Sequence, residues 1–178
     1  MAGTIAVIGL VISLLAASFV YWQAALSRRS MGAETLLHLD DVWRSGRMLR
    51  TRSAAAAVLV DKRSTGKTAQ ALYASDQSDV DEVLDFFETL AFFCRRNVLD
   101  HKLVWNMFYW PMENYWLACS DYVEHVRLNE GRHTWENFYL LRPKLQKLNR
   151  GDAAANGAKV PQFLRVEAAL SPKSNPSS

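Results

Sequence analysis

Arg127, Leu128, Asn129 and then His133 form the spacing in this chain with the most evident reactive content. A guanidinium can grip a phosphodiester through two parallel hydrogen bonds, and an imidazole that titrates near neutrality can carry a proton to or from a ribose hydroxyl. Cleavage of RNA is the chemistry such a pair would serve. Against it, Gly131 interrupts the helix between the two residues. Arg127 is also suited to closing a helix end or to pairing with Glu124 or Glu130, and His133 to a surface turn.

Two other patterns carry less. Of the four histidines, His38, His101, His125 and His133, His125 has a carboxylate, Asp121, at the i, i+4 spacing that aims two ligands at one point, and two ligands do not make a metal centre. The run VLVDKRSTGKT ends in Gly66, Lys67 and Thr68 in the manner of a phosphate-binding loop. Where that loop needs its first glycine stands Asp61, whose carboxylate would repel phosphate, and the preceding stretch is alanine-rich and helical in character. Cys94 and Cys119 form no CxxC pair, which excludes a disulfide scaffold and a cysteine-rich zinc module. No cofactor and no metal is expected.

The elements that would position such residues are helices. With 178 residues, 49% hydrophobic and 22% charged, the chain can bury one ordinary core, and a net charge of +3 is too small to make nucleic acid its defining partner. No period-two alternation and no Asn-Gly or Asp-Gly turn argues for strands. The clearest helix runs from a Ser78 cap to about Arg96, with Val80, Val83, Leu84, Phe87, Leu90, Ala91 and Cys94 on one stripe widened by Phe86 and Phe93. Acidic residues Asp79, Asp81, Glu82 and Asp85 open it and Arg95 and Arg96 close it, as the helix dipole favours. Asn97 suits a left-handed turn, and Asp100 an N-cap for the next helix, His101 to about Asn129, which Pro111 should kink.

Upstream, Leu36, Leu39 and Trp43 share a face, and Ser45 reads as the N-cap of a segment reaching Val60. Residues 61–78 read as a loop with a short turn at 69–73. Downstream, a last helix is expected from a Thr134 cap through Leu148. Residues 149–178 read as a loose tail in which Val160 to Leu170 could form a docking helix.

The first 27 residues carry no charge, and Ile5 to Trp22 is almost unbroken apolar sequence. From Thr4 to Trp22 a helix would extend about 28 Å, close to the roughly 30 Å of bilayer hydrocarbon, so residues 1–27 read as a single transmembrane anchor. No basic residue precedes the run, whereas Tyr21, Trp22, Arg28 and Arg29 follow it. This predicts an inner-membrane protein with its N-terminus outside, the lipid bilayer as a partner, Arg28 and Arg29 at lipid headgroups, and residues 28–148 as a cytoplasmic bundle of four to five helices. Gly9, Ser13 and Ala17 recur every fourth residue, a stripe along which two copies could pair as a homodimer. Residues 28–67 hold nine bases and four acids, residues 68–100 two bases and seven acids. These halves could join in the fold, or Arg44, Arg47, Arg50 and Arg52 could face anionic lipid.

The N-terminal apolar run, WRSGRMLRTR from Trp43, FFETLAFF from Phe86, NVLDHKLVW from Asn97 and YWLACSDYVEHVR from Tyr115 together resemble an uncharacterised family of small bacterial membrane-anchored helical proteins, a domain of unknown function. The resemblance covers most of residues 4–145. It implies an all-α fold and a membrane location, and brings no substrate, cofactor or catalytic residue with it. The Arg127 to His133 spacing looks like the signature of small all-helical ribonucleases. The expectation is a non-catalytic binding or scaffold module with an unknown protein partner. The alternative is a ribonuclease using Arg127 and His133.

Overall fold

The computed structural model describes residues 2–75, 77–148 and 153–170, without the side chains of 2–12, 14, 24–30 and 153–158. Among the described residues there are seven helices and no strand. They are α1 (Ala2–Arg44), α2 (Gly46–Thr65), α3 (Ala69–Tyr73), α4 (Ser78–Arg95), α5 (His101–Asn129), α6 (Glu136–Leu148) and α7 (Ala153–Ala168).

The expected membrane anchor is overturned. Among the described residues no helix is long and apolar enough to cross a membrane. The apolar run is not a unit of its own: it opens a 43-residue helix that continues unbroken through Arg28, Arg29 and Glu34 to Arg44. The single-pass inner-membrane placement, with N-terminus outside and a cytoplasmic bundle, loses its basis with the anchor. Arg28, Arg29 and Gly9 lie outside the described side chains, while Ser13 and Ala17 are exposed.

The last turns of α1 enter the core through Leu36, Leu39 and Trp43. Gly32 is needed on the way in, because a Cβ there would collide with the Val98 carbonyl oxygen in the α4–α5 turn. Ser45 separates α1 from α2 and caps α2 as expected, its hydroxyl accepting from the Met48 N–H at 3.2 Å. The helix runs past Val60 into the stretch read as loop and ends at Thr65, where Gly66 takes a left-handed φ of 67°. Thr68 then caps α3, accepting from Ala71 N–H.

α4 has the predicted face: Val80, Val83, Leu84, Phe86, Phe87, Leu90, Ala91 and Cys94 are all buried. Its N-cap position is Gln77 rather than Ser78, and that side chain makes no cap bond. Phe87, fully buried, is ringed by Trp43, Phe86, Tyr115 and Phe138 at centroid distances of 5.3–6.0 Å. Asn97 is left-handed (φ 55°), and Asp100 caps α5 by accepting from Lys102 and Leu103 N–H at 2.7 and 3.3 Å. The kink expected at Pro111 falls instead at Cys119 (φ −132°, ψ 15°), whose thiol donates to the Tyr115 carbonyl.

α6 begins at Glu136, not at a Thr134 cap, because Trp135 adopts φ 48° and turns the chain first. Glu88 of α4 supplies the missing cap, its carboxylate accepting from the Asn137 and Phe138 N–H groups at 3.2 and 2.8 Å. The stretch read as a loose tail contains α7, which packs on α2 and α5 with Val160, Phe163 and Leu164 buried. Residues 171–178 of that stretch lie outside the described residues.

Candidate functional site

Arg127 leaves α5 in its last turn and is spent on structure. Its guanidinium donates to the Thr134 carbonyl at 2.5 Å and lies 4.5 Å from the centre of the Tyr139 ring. Neither of the carboxylates suggested by spacing, Glu124 or Glu130, is the partner that holds it there. A shallow recess of about 340 Å³ beside it is lined by Glu124, Arg127, Leu128, Arg132 and Tyr139. His133 is not among the lining residues; it is exposed on the turn, its ring so close to Gly131 that a Cβ on that glycine would meet it. A phosphate held at Arg127 would therefore sit against a glutamate, without a facing imidazole.

The other sequence candidates also resolve into structure. Asp121 bonds the ammonium of the buried Lys62 at 2.5 Å, while His125 stands edge-on to Tyr73 with centroids 5.3 Å apart. Among the described residues no group of three metal-ligating side chains converges. Gly66 terminates a helix, and Lys67 pairs with Asp61 at 2.6 Å, so the GKT stretch closes α2 instead of cradling an anion.

The acidic start of α4 does more than complement a dipole. Glu82 takes Arg47 at 2.7 Å and Thr51 at 3.2 Å, joining the basic and acidic halves of the sequence. Asp81 accepts from the Tyr122 hydroxyl and Asp85 from the Trp135 indole N–H, at 2.7 and 2.8 Å. Burial raises the Asp81 carboxyl above the ordinary range, with Asp85 adding to it and the Tyr122 bond opposing. Burial likewise pushes up the Tyr122 phenol, reinforced by Asp81.

The most concentrated charge lies where α1, α2, α5 and α7 meet. Arg52 donates from Nε and Nη2 to the two oxygens of Glu167 at 2.8 and 2.6 Å, and from Nη1 to the Trp43 carbonyl at 3.2 Å. The guanidinium lies 4.0 Å from the Trp43 ring centre. Tyr115 donates to Glu167 at 3.1 Å, and its phenol is pushed well up, first by burial and then by that carboxylate. Both charged side chains are less than a tenth exposed. Such a pair keeps its charges only because the bidentate geometry and the added donors satisfy nearly every lone pair. Sequence reading offered Arg52 a role in joining the basic and acidic halves or a place against anionic lipid, and missed Glu167, because the spacing of one helix says nothing of a carboxylate 115 positions away.

An all-helical domain is thus the class that the fold defines. The chain belongs to the family described as Domain of unknown function (DUF4760), whose model matches residues 3–144. No curated protein and no solved structure matches it.

Proposed function

We propose that the protein is a non-catalytic helical binding or scaffold module and that the first half of α1 is the part a partner holds. The observation carrying this reading is the exposure of Leu15, Phe19, Val20, Tyr21 and Trp22, between 55 and 78% each, on successive faces of that helix. A helix that is apolar all round is ordinarily a buried one, and continuous exposed apolar surface marks a site of association. A second copy of the chain is the first partner to test, as pairing along Ser13 and Ala17 lets two such helices approach.

Sedimentation of the full chain over a range of concentrations tests the proposal. The unmodified protein should associate, and Phe19→Glu with Trp22→Glu should leave a monomer of unchanged helicity. A native chain that stays monomeric throughout and brings no protein with it on purification would sink the reading. The ribonuclease alternative draws no support from the geometry, since Arg127 is engaged by Thr134 and Tyr139 and His133 does not face it.

A further inference from the structure

The family model matches residues 3–144, yet the core of this chain is completed by α7, a helix beyond that match. α7 meets the domain through Val160, Phe163, Leu164 and Glu167. These are positions i, i+3, i+4 and i+7, the pattern by which an amphipathic helix seats itself in a groove. Phe163 enters edge-on against Tyr115 and Trp110, at centroid distances of 5.3 and 6.4 Å. Beyond it Glu167 meets Arg52, and Ser53 donates to the Ala168 carbonyl at 2.8 Å.

Every receptor residue in this arrangement lies within the family match, and every ligand residue outside it. The groove without α7 would present an arginine, held in place by the Trp43 carbonyl and ring, at the end of an aromatic cleft. An arginine in that setting requires a carboxylate and excludes a helix that lacks one, which makes the charge a specificity device more than a source of stability. α7 is itself a modest helix, with Gly157 and Pro161 in its interior, so docking supplies much of what holds it helical.

We infer that the groove between α2 and α5 is a docking site for an amphipathic helix bearing three apolar anchors and a carboxylate one turn beyond the last, and that α7 occupies it in cis as an exchangeable plug. A partner helix of that chemistry competes with α7, whose tether gives it a high local concentration and so sets the threshold the partner must exceed. This surface is independent of the exposed half of α1.

The probe is a fluorescent peptide of residues 153–170, added to the full chain and followed by anisotropy. The native chain should bind it weakly. A full chain carrying Val160→Ala and Phe163→Ala, which loosens the plug but leaves the groove intact, should bind it about tenfold or more tightly than the native chain does. Peptide with Glu167→Gln should bind that loosened chain about tenfold or more weakly, because Arg52 is left facing a neutral amide. Saturable binding with both effects supports the groove. Absence of binding by a loosened chain that still unfolds cooperatively overturns it. Loss of cooperative unfolding in the loosened chain overturns it equally, since α7 would then be an inseparable part of the core. Exchange of α7 between copies would appear as a stable dimer that survives Phe19→Glu with Trp22→Glu, and would refute docking of a foreign helix.

Discussion

Arg52 and Glu167 stand 115 positions apart in the sequence and meet as a bidentate ion pair, with nitrogen–oxygen distances of 2.6 and 2.8 Å. The pair joins α2 to α7, and through the Tyr115 hydroxyl and the Trp43 carbonyl it also draws in α5 and α1.

Breaking that pair from one side should be far more damaging than removing it whole. Arg52→Ala or Glu167→Ala leaves a lone buried charge and should cost about 3–5 kcal/mol in urea unfolding. Arg52→Met combined with Glu167→Leu should fall within about 1 kcal/mol of the native chain or exceed it. Equal losses in single and double variants would mean that packing, not charge, governs the junction.

Phe87→Ala should cost about 3–5 kcal/mol, because the ring is fully buried among four other aromatic rings that cannot collapse onto the space it leaves. The measurement is the urea midpoint at constant slope. A change below about 1 kcal/mol would show that α4 does not face the core as described.

Burial pushes the thiols of Cys94 and Cys119 up from an ordinary 9 to about 12. The unfolded chain therefore releases these protons first. Their contribution to stability is whole below pH 9 and is lost as the pH rises toward 12. Neither thiol should react with an aromatic disulfide reagent in the native protein at pH 8, and both should react once the chain is unfolded. Rapid native labelling would show that one of them is reachable.

Arg127→Ala should lower stability by about 1–2 kcal/mol through the lost bond to Thr134 and the lost contact with Tyr139, while His133→Ala should change little. Neither variant should alter any nuclease activity, because purified protein is expected to cleave no RNA. Cleavage that persists through purification and vanishes in both variants would reverse this assignment.

What was legible in the sequence was local. The α4 stripe follows from spacing within eighteen residues, and Ser45, Asn97 and Asp100 act on backbone groups within a few positions of themselves. What was hidden depends on residues that only the folded chain brings together. Glu88 caps α6 from another helix, and Gly32 matters because of a carbonyl in the α4–α5 turn. Arg127 spacing suggested phosphate chemistry, but a short motif cannot reveal that Thr134 already accepts from its guanidinium. The membrane reading rested on the apolar run of the sequence alone, whereas among the described residues no helix is long and apolar enough to cross a membrane.

The continuity of α1 gives it a mechanical character. Where Gly32 lies against the Val98 carbonyl the helix is pinned to the α4–α5 turn, with about 29 Å of rod on the side of Ser13 and about 17 Å on the side of Trp43. The helix ends beside the indole on which the Arg52 guanidinium rests, so one unbroken run of helical backbone links the exposed apolar arm to the buried ion pair.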